Sequence, residues 1–295
     1  MQMNSMEMIM KFSTFMKRRS YSTCTIKTYA SNIKNFCKWL DVRIDKVTSD
    51  IVYEYLGYVH NRRLSPKSIN CILTGLRKFY DFLYYEEKIQ IINPVKLEYR
   101  QREPKPLPRF LKGEEIEILI ESINSKRDKA MCLLMLRCGL RVGEVANLSL
   151  RVIDFEKRKI LILNGKGPKD RIVYFSNDTY AAIQDYLKVR PSTRVQKLFL
   201  VERGIHKGKS ISIRGIQHRF KYYARKTGVN LTCHRLRHTM ATQLLNADAM
   251  LASVQELLGH NNIVSTQRYC KVSNEKVRKD YFKAIELVMK RNADF

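Results

Sequence analysis

Apolar residues in the first hundred positions recur at helical spacing. Over 25–40 they fall three or four residues apart on one face, and a second such pattern runs over 49–60. Ser65-Pro66 is a helix start, because serine can cap the first turn and proline at the first helical position gives up no hydrogen bond. The apolar pattern that follows continues to about residue 87. Residues 1–100 are therefore predicted to be helical throughout, as a four-helix module.

The pattern changes at residue 101. Residues 101–110 hold three prolines and no periodicity, which predicts an extended, basic linker. Two β-prone runs joined by Asn-Gly-Lys-Gly-Pro indicate a hairpin. Strands are expected at 159–163, 171–175 and 198–201, and helices at 113–124, 126–138, 141–148, 177–189, 213–227, 235–246, 250–258, 263–270 and 275–291. The prediction is a mainly α protein with a small antiparallel β-sheet: a helical N-terminal domain (1–100), the linker, and a mixed α/β domain (111–295) ending in a helical tail (275–295).

Charge points to the class of partner. The chain of 295 residues has 55 Lys and Arg against 28 Asp and Glu, a net charge of +27. Residues 1–100 carry +8 and the remainder +19, so the excess is spread along the chain. Such self-repulsion is typical of proteins that bind a polyanion, and the spread favours a long nucleic acid contact over a short basic signal.

Other totals exclude several classes. With 44% hydrophobic residues the chain can bury a core in each domain, which argues against disorder. No apolar run reaches the roughly 18 to 20 residues of a membrane span, and the N-terminus lacks the pattern of a signal peptide. The seven cysteines are scattered without a CxxC pair, so reduced thiols in the cytoplasm are expected rather than a disulfide framework or a zinc ribbon.

Four local motifs carry candidate chemistry, and each alone has a plainer interpretation. Arg141 could form a surface ion pair with Glu144, and a lysine at a hairpin tip is usually just solvated. His234 and His238 have the i, i+4 spacing of a zinc site, but Arg235 and Arg237 beside them suit an anion better than a metal ion. The motifs are CGLRVGEVANL at 138–148, NGKGPKDR at 164–171, HRLRHTMAT at 234–242 and LGHNNIVSTQRY at 258–269.

Taken together and in this order, the motifs resemble those of the tyrosine recombinase family, which includes phage integrases and simple site-specific recombinases and resolvases. The HxLRH motif, the LGH motif and a tyrosine nine residues after its histidine form a specific signature. The resemblance covers nearly the whole chain. It implies a helical core DNA-binding domain followed by a catalytic domain. The six positions that match the catalytic residues of the family are Arg141, Lys166, His234, Arg237, His260 and Tyr269.

The resemblance also implies the reaction. Tyr269 would attack a DNA phosphodiester to give a 3′-phosphotyrosine, which conserves the bond energy for rejoining without ATP. Arg141 and Arg237 would clamp the non-bridging oxygens in place of a metal ion, and Lys166 would protonate the leaving oxygen. His234 would help to accept the tyrosine proton, and His260 would donate a hydrogen bond to the phosphate. No cofactor and no metal site are expected.

The expected partner is a double-stranded recombination site, held by a C-shaped clamp. Four protomers would act on two sites, with the tail at 275–295 docking on a neighbour or, alternatively, packing on its own domain. The gene would serve integration, excision or resolution of a mobile element, and the resolution of chromosome dimers, which uses the same machinery, stays open as an alternative role. Two other functions remain open: a type IB topoisomerase-like enzyme, and a non-catalytic DNA-binding accessory factor.

Overall fold

The structure is a computed structural model, and it describes residues 5–104, 109–163, 170–259 and 281–282. The chain divides into two compact units, Met1–Lys105 and Pro106–Phe295. Within the described ranges, no helix is both long enough and apolar enough to cross a bilayer.

The first unit is built from amphipathic helices, as the apolar spacing predicts. Ser22, Thr48 and Ser65 cap three of them, each side chain accepting a backbone N–H from the first turn. The apolar faces meet in one core that includes Phe12, Phe36 and Phe79. The helices are α1 (Ser5–Arg18), α2 (Thr23–Trp39), α3 (Ser49–Asn61) and α4 (Pro66–Tyr85).

The prediction that residues 1–100 are helical throughout is wrong after Tyr85. In the described stretch 86–104 the helical element is a single 3₁₀ turn, Leu97–Tyr99. Asn93 precedes a proline, which disfavours helical backbone at the asparagine. Its side chain instead donates to the Asp81 carboxylate at 2.6 Å and to the Arg77 carbonyl at 2.9 Å. The segment therefore lies against α4 through side-chain hydrogen bonds.

The second unit is mainly helical. Its principal core is formed by α6 together with the helices and strands packed around it. The helices are α5 (Gly113–Ser122), α6 (Lys126–Arg137), α7 (Val142–Asn147), α8 (Asn177–Val189), α9 (Ile213–Thr227), α10 (Cys233–Asn246) and α11 (Leu251–Leu258).

The sheet is small and antiparallel, in the order β1-β2-β3. Its described strands are β1 (Ile153–Asp154), β2 (Lys159–Ile162) and β3 (Arg171–Tyr174), with Ile160 opposite Val173. The prediction of a third strand at 198–201 is wrong: in this stretch Leu200 forms one isolated bridge, to Ser210, and Leu198, Phe199 and Leu200 are buried in the core. Hydrophobicity there reflects burial rather than strand pairing. Besides the two strands of the predicted hairpin, the described sheet contains β1, which the sequence did not predict. The predicted mainly α fold with a small antiparallel sheet is confirmed.

Candidate active site

The turn between α6 and α7 places Arg141 at the start of a helix. Gly139 has a φ of +65°, a left-handed conformation that glycine adopts without steric cost. A Cβ atom at this position would lie 2.8 Å from Cε at the flexible end of the Met240 side chain, so α10 passes close to this turn. Arg141 follows as the N-cap residue of α7. The glycine therefore allows the chain to turn tightly against α10 and to present Arg141.

The Arg141 side chain is held from two sides. Its Nη1 donates to Oε1 of Glu144 at 2.9 Å, and its Nη2 donates to the carbonyl of Gly259 at 3.1 Å. The backbone N–H of Arg141 donates to Oε2 of the same glutamate at 2.7 Å. The side chain nevertheless keeps 25% of its surface exposed. Arg141 is therefore a fixed guanidinium that an external anion can still reach.

Helix α10 carries the second candidate arginine. The Thr232 hydroxyl caps the helix by accepting the N–H of Arg235 at 3.1 Å. Arg237, two residues further on, is 2% exposed and donates to the carbonyls of Gly139 and Leu258. A guanidinium buried to this degree is normally fixed by hydrogen bonds, and these two acceptors join it to the turns before α7 and after α11.

The two histidines of α10 lie side by side. His234 is exposed, and His238 is half-buried one turn later. Their ring centroids are 4.1 Å apart, and the ring planes cross at 73°, an edge-to-face contact. Within the described ranges, no group of three or more His, Cys, Asp or Glu side chains is arranged to hold a metal ion. His234 and Arg237 are three residues apart and therefore share a helix face.

The arginines of two separate motifs converge on a third. Arg237 donates to the carbonyl of Leu258, and Arg141 donates to the carbonyl of Gly259. These consecutive residues close α11, with Gly259 in the left-handed conformation at φ +58°. They are also the first two residues of the LGH motif, so the position next along the chain is His260. The fold therefore brings residues more than 90 positions apart in the sequence to one turn.

Sequence reasoning missed a third arginine at this place. Arg171 opens β3, and its Nη1 and Nη2 donate to the two carboxylate oxygens of Glu144 at 2.9 and 2.7 Å. Its Nε donates to the carbonyl of Leu257 at 2.9 Å. A signal was available, because in the two-residue alternation of β3 Arg171 takes an inward position together with Val173. A charged residue at a core-facing strand position indicates a buried partner.

Electrostatics keep Glu144 ionised. Burial acts to raise the pKa of this carboxyl, but hydrogen bonds from Arg171 and from the backbone and side chain of Arg141 outweigh it. The pKa is therefore lowered from its ordinary value. Three guanidinium groups (Arg141, Arg171 and Arg237) and one carboxylate meet at this turn, so positive charge is in excess there.

Three of the six predicted site residues lie outside the described residues, namely Lys166, His260 and Tyr269. The same holds for the predicted helix at 263–270 and for the tail, apart from Tyr281 and Phe282, which are helical. The structure thus brings Arg141 and Arg237 together and places His234 on the same helix as Arg237.

Both units match known protein families. Residues 109–276 match the phage integrase family, and residues 9–87 match the N-terminal SAM-like domain of phage integrases. The fold is also found in the Tn1549 transposon integrase in complex with transposon right end DNA. That structure superposes with a TM-score of 0.78 at 20% identity, over 96% of this chain and all of the other.

Sequence relatives extend along nearly the whole chain. The tyrosine recombinase XerA of Thermococcus kodakarensis is 32% identical over 280 residues, covering 94% of this chain and 95% of the relative. The tyrosine recombinase XerC of Staphylococcus aureus strain MRSA252 is 32% identical over 291 residues, covering 95% and 96%. Because the matches span both units and nearly the full length of these relatives, the chain belongs to the phage integrase family, the family of the tyrosine recombinases.

Proposed function

We propose that the protein is a site-specific DNA recombinase that cleaves and rejoins DNA through a 3′-phosphotyrosine intermediate on Tyr269. The observation that carries the proposal is the convergence of Arg141 and Arg237 on the Leu258–Gly259 turn. His260 follows this turn directly in the chain, and Tyr269 follows nine residues later. The contacts among the described residues of three motifs, at Arg141, Arg237 and Leu258–Gly259, support this proposal.

The proposed chemistry assigns one role to each group. The phenolic oxygen of Tyr269 bonds to phosphorus while its proton passes to His234. The bond between phosphorus and the 5′ oxygen breaks, and Lys166 donates a proton to that oxygen. Arg141 and Arg237 donate to the non-bridging oxygens, where charge accumulates in the transition state, and His260 adds a further hydrogen bond. Reversal of the same steps on a new 5′-hydroxyl rejoins the strand.

The partner we propose is a double-stranded DNA recombination site. The charge of +27 supports a polyanion partner, and the Tn1549 integrase, which shares the fold, has been solved with transposon DNA. We assign DNA binding to residues 1–100, the connection to 101–110, and catalysis to 111–295. Because the substrate is cellular DNA, we place the enzyme in the cytoplasm. Its biological role would be to integrate, excise or resolve a mobile element.

A suicide-substrate assay tests the proposal. The substrate is a duplex carrying a site selected by this protein from a random-sequence pool, nicked so that the short 5′-hydroxyl fragment diffuses away after cleavage. We expect a covalent protein–DNA adduct on denaturing gels, equally strong in EDTA, because arginines supply the positive charge. Absence of any adduct would support the accessory-factor alternative and refute the proposal. Relaxation of supercoiled DNA without exchange between two labelled sites would favour the topoisomerase-like alternative.

We further propose that four protomers assemble on two sites through the tail at 275–295. Ending the chain at Asn274 tests this assembly. If the tail docks on a neighbouring protomer, the truncated chain keeps its melting temperature and its affinity for a half-site but loses cooperativity on a full site. Cooperative binding and recombination by the truncated chain would refute docking in trans, and a lower melting temperature without DNA would indicate packing on the same protomer.

A further inference from the structure

All three nitrogens of the Arg171 guanidinium donate hydrogen bonds, to two segments of the candidate site. Nη1 and Nη2 donate to the two carboxylate oxygens of Glu144, and Nε donates to the carbonyl of Leu257. The side chains of Arg171 and Glu144 are 3% and 10% exposed, so this ion pair is largely removed from water. Arg171 is therefore a buried side chain bonded to the groups that surround Arg141.

Both supports of the Arg141 guanidinium depend on these contacts. Oε1 of Glu144 accepts hydrogen bonds from Arg171 and from Arg141, each at 2.9 Å. Because Arg171 binds both carboxylate oxygens, it fixes the plane of the carboxylate to which Arg141 donates. The other support is the carbonyl of Gly259. Gly259 packs on Arg171 so closely that a Cβ atom there would lie 2.9 Å from the arginine Cδ. Arg171 thus contacts the carboxylate on one side and the turn on the other.

We propose that Arg171 is a positioning residue, which orients Arg141 for the phosphate by fixing Glu144 and the Leu257–Gly259 turn. The inference rests on the proposed function, since it concerns the transition state that Arg141 stabilises. Lysine cannot replace arginine here. A single ammonium group keeps the charge but cannot grip two carboxylate oxygens and a carbonyl in one plane. Displacement of a catalytic group by about 1 Å can cost about 100-fold in rate.

The test compares two conservative variants. In Arg171→Lys we expect single-turnover cleavage of the selected, nicked duplex to slow by about 10- to 100-fold, with little change in affinity for that duplex. Arg190→Lys is the matched control. Arg190 also donates to carbonyls, those of Val195, Lys197 and Leu198, but these three residues lie outside the four candidate motifs. We expect Arg190→Lys to lower the stability of the protein, while the folded variant cleaves DNA at the wild-type rate.

A double-mutant cycle separates positioning from general stability. If Arg171 acts through Arg141, Arg171→Lys should slow cleavage much less in an Arg141→Lys background than in the wild type. The effects of Glu144→Gln and Arg141→Lys on the cleavage rate should likewise not add in the double variant. Full additivity, wild-type cleavage by Arg171→Lys, or a slowing matched by Arg190→Lys would each overturn the inference.

A second readout keeps the inference testable if the wild-type chain forms no adduct, an outcome that refutes the proposed function. In protein with isotopically labelled arginine, the Nε–H signal of Arg141 reports how firmly its guanidinium is held. We expect that signal to shift and to exchange faster with water in Arg171→Lys, and to be unchanged in Arg190→Lys. An Arg141 signal indifferent to Arg171→Lys would overturn the positioning role whether or not the chain cleaves DNA.

Discussion

At the residue scale, the candidate site is organised by the acceptors of its arginines. Arg237 is almost completely buried, and its acceptors at Gly139 and Leu258 are backbone carbonyls, which hold the guanidinium but carry no formal charge. Arg141 shares Glu144 with Arg171, so one carboxylate serves two cations. In the proposed reaction, the two non-bridging oxygens of a DNA phosphodiester, which share one negative charge, would therefore meet guanidinium groups that are fixed in advance.

Glu144 should link stability to pH. Its pKa is lowered in the folded protein, so its contribution is complete above the ordinary carboxyl pKa and is lost as the pH falls through the lowered value. We expect Glu144→Gln to cost about 1.5 to 3 kcal/mol at neutral pH and to make the acid-induced fall in unfolding free energy shallower. Denaturant titrations across the acidic range measure both quantities.

The control for this prediction is Glu117→Gln, which changes an exposed glutamate on α5. It should reproduce the wild-type dependence of unfolding free energy on pH. An equally steep acid-induced fall in Glu144→Gln and in the wild type would contradict the ionised, arginine-bound state of Glu144.

The residue scale also shows what the sequence could and could not predict about the site. Motif spacing was enough to select Arg141, Arg237 and His234 as candidates. It could not predict that the two arginines meet at Leu258–Gly259, because that contact depends on how α6, α10 and α11 pack. Motif spacing does not single out Arg171, because its signal is an inward-facing position in a strand of only four residues.

At the element scale, helix ends carry the site. Residues at the start of α7, near the start of α10 and at the end of α11 meet, and glycines at positive φ allow two of the turns. Helix positions were predictable because capping residues and apolar spacing are local signals, as at Ser65-Pro66. The short strand β1 was missed because two residues carry no detectable alternation.

Two glycines at helix C-termini give a matched test of the α11 turn. Gly259 and Gly228 have φ of +58° and +71°, so alanine at either should cost about 1 to 2 kcal/mol of stability from backbone strain. A Cβ atom at Gly259 would also meet Arg171, whereas the space around Gly228 is open within 4 Å. We therefore expect only Gly259→Ala to slow DNA cleavage, in single-turnover assays on folded protein.

If Gly259→Ala and Gly228→Ala lower the melting temperature equally and both cleave at the wild-type rate, the contact between Gly259 and Arg171 has no part in the site. Equal slowing in both variants would attribute the effect to backbone strain alone.

At the scale of the whole molecule, two compact units share a large excess of positive charge. The excess of +27 is not confined to either unit, since residues 1–100 carry +8 and the rest +19. Such a distribution suits a protein that contacts many phosphates along a duplex and reads fewer base edges. The proline-rich segment at 101–110 predicts a linker, and the chain divides into compact units between Lys105 and Pro106.

Binding should therefore depend steeply on salt. If each unit contributes several phosphate contacts, the affinity for the selected duplex should fall by about 10³- to 10⁵-fold between 50 and 200 mM salt, because bound counterions are released. Fluorescence anisotropy over that range gives the slope of log affinity against log salt. A slope near zero would contradict extensive phosphate contact, and a random-sequence duplex serves as the control for the non-specific contribution.

Tyr269 is the proposed covalent link to DNA. The decisive measurement is adduct formation by Tyr269→Phe on a nicked substrate labelled at the 5′ end of the cleaved strand, with Tyr281→Phe as the matched control. We predict that Tyr269→Phe binds the duplex with near wild-type affinity but forms no adduct, because only the phenolic oxygen is lost. Wild type and Tyr281→Phe should carry the label through a 3′ phosphate. An adduct with Tyr269→Phe, or a label that stays with the free DNA fragment, would contradict the account.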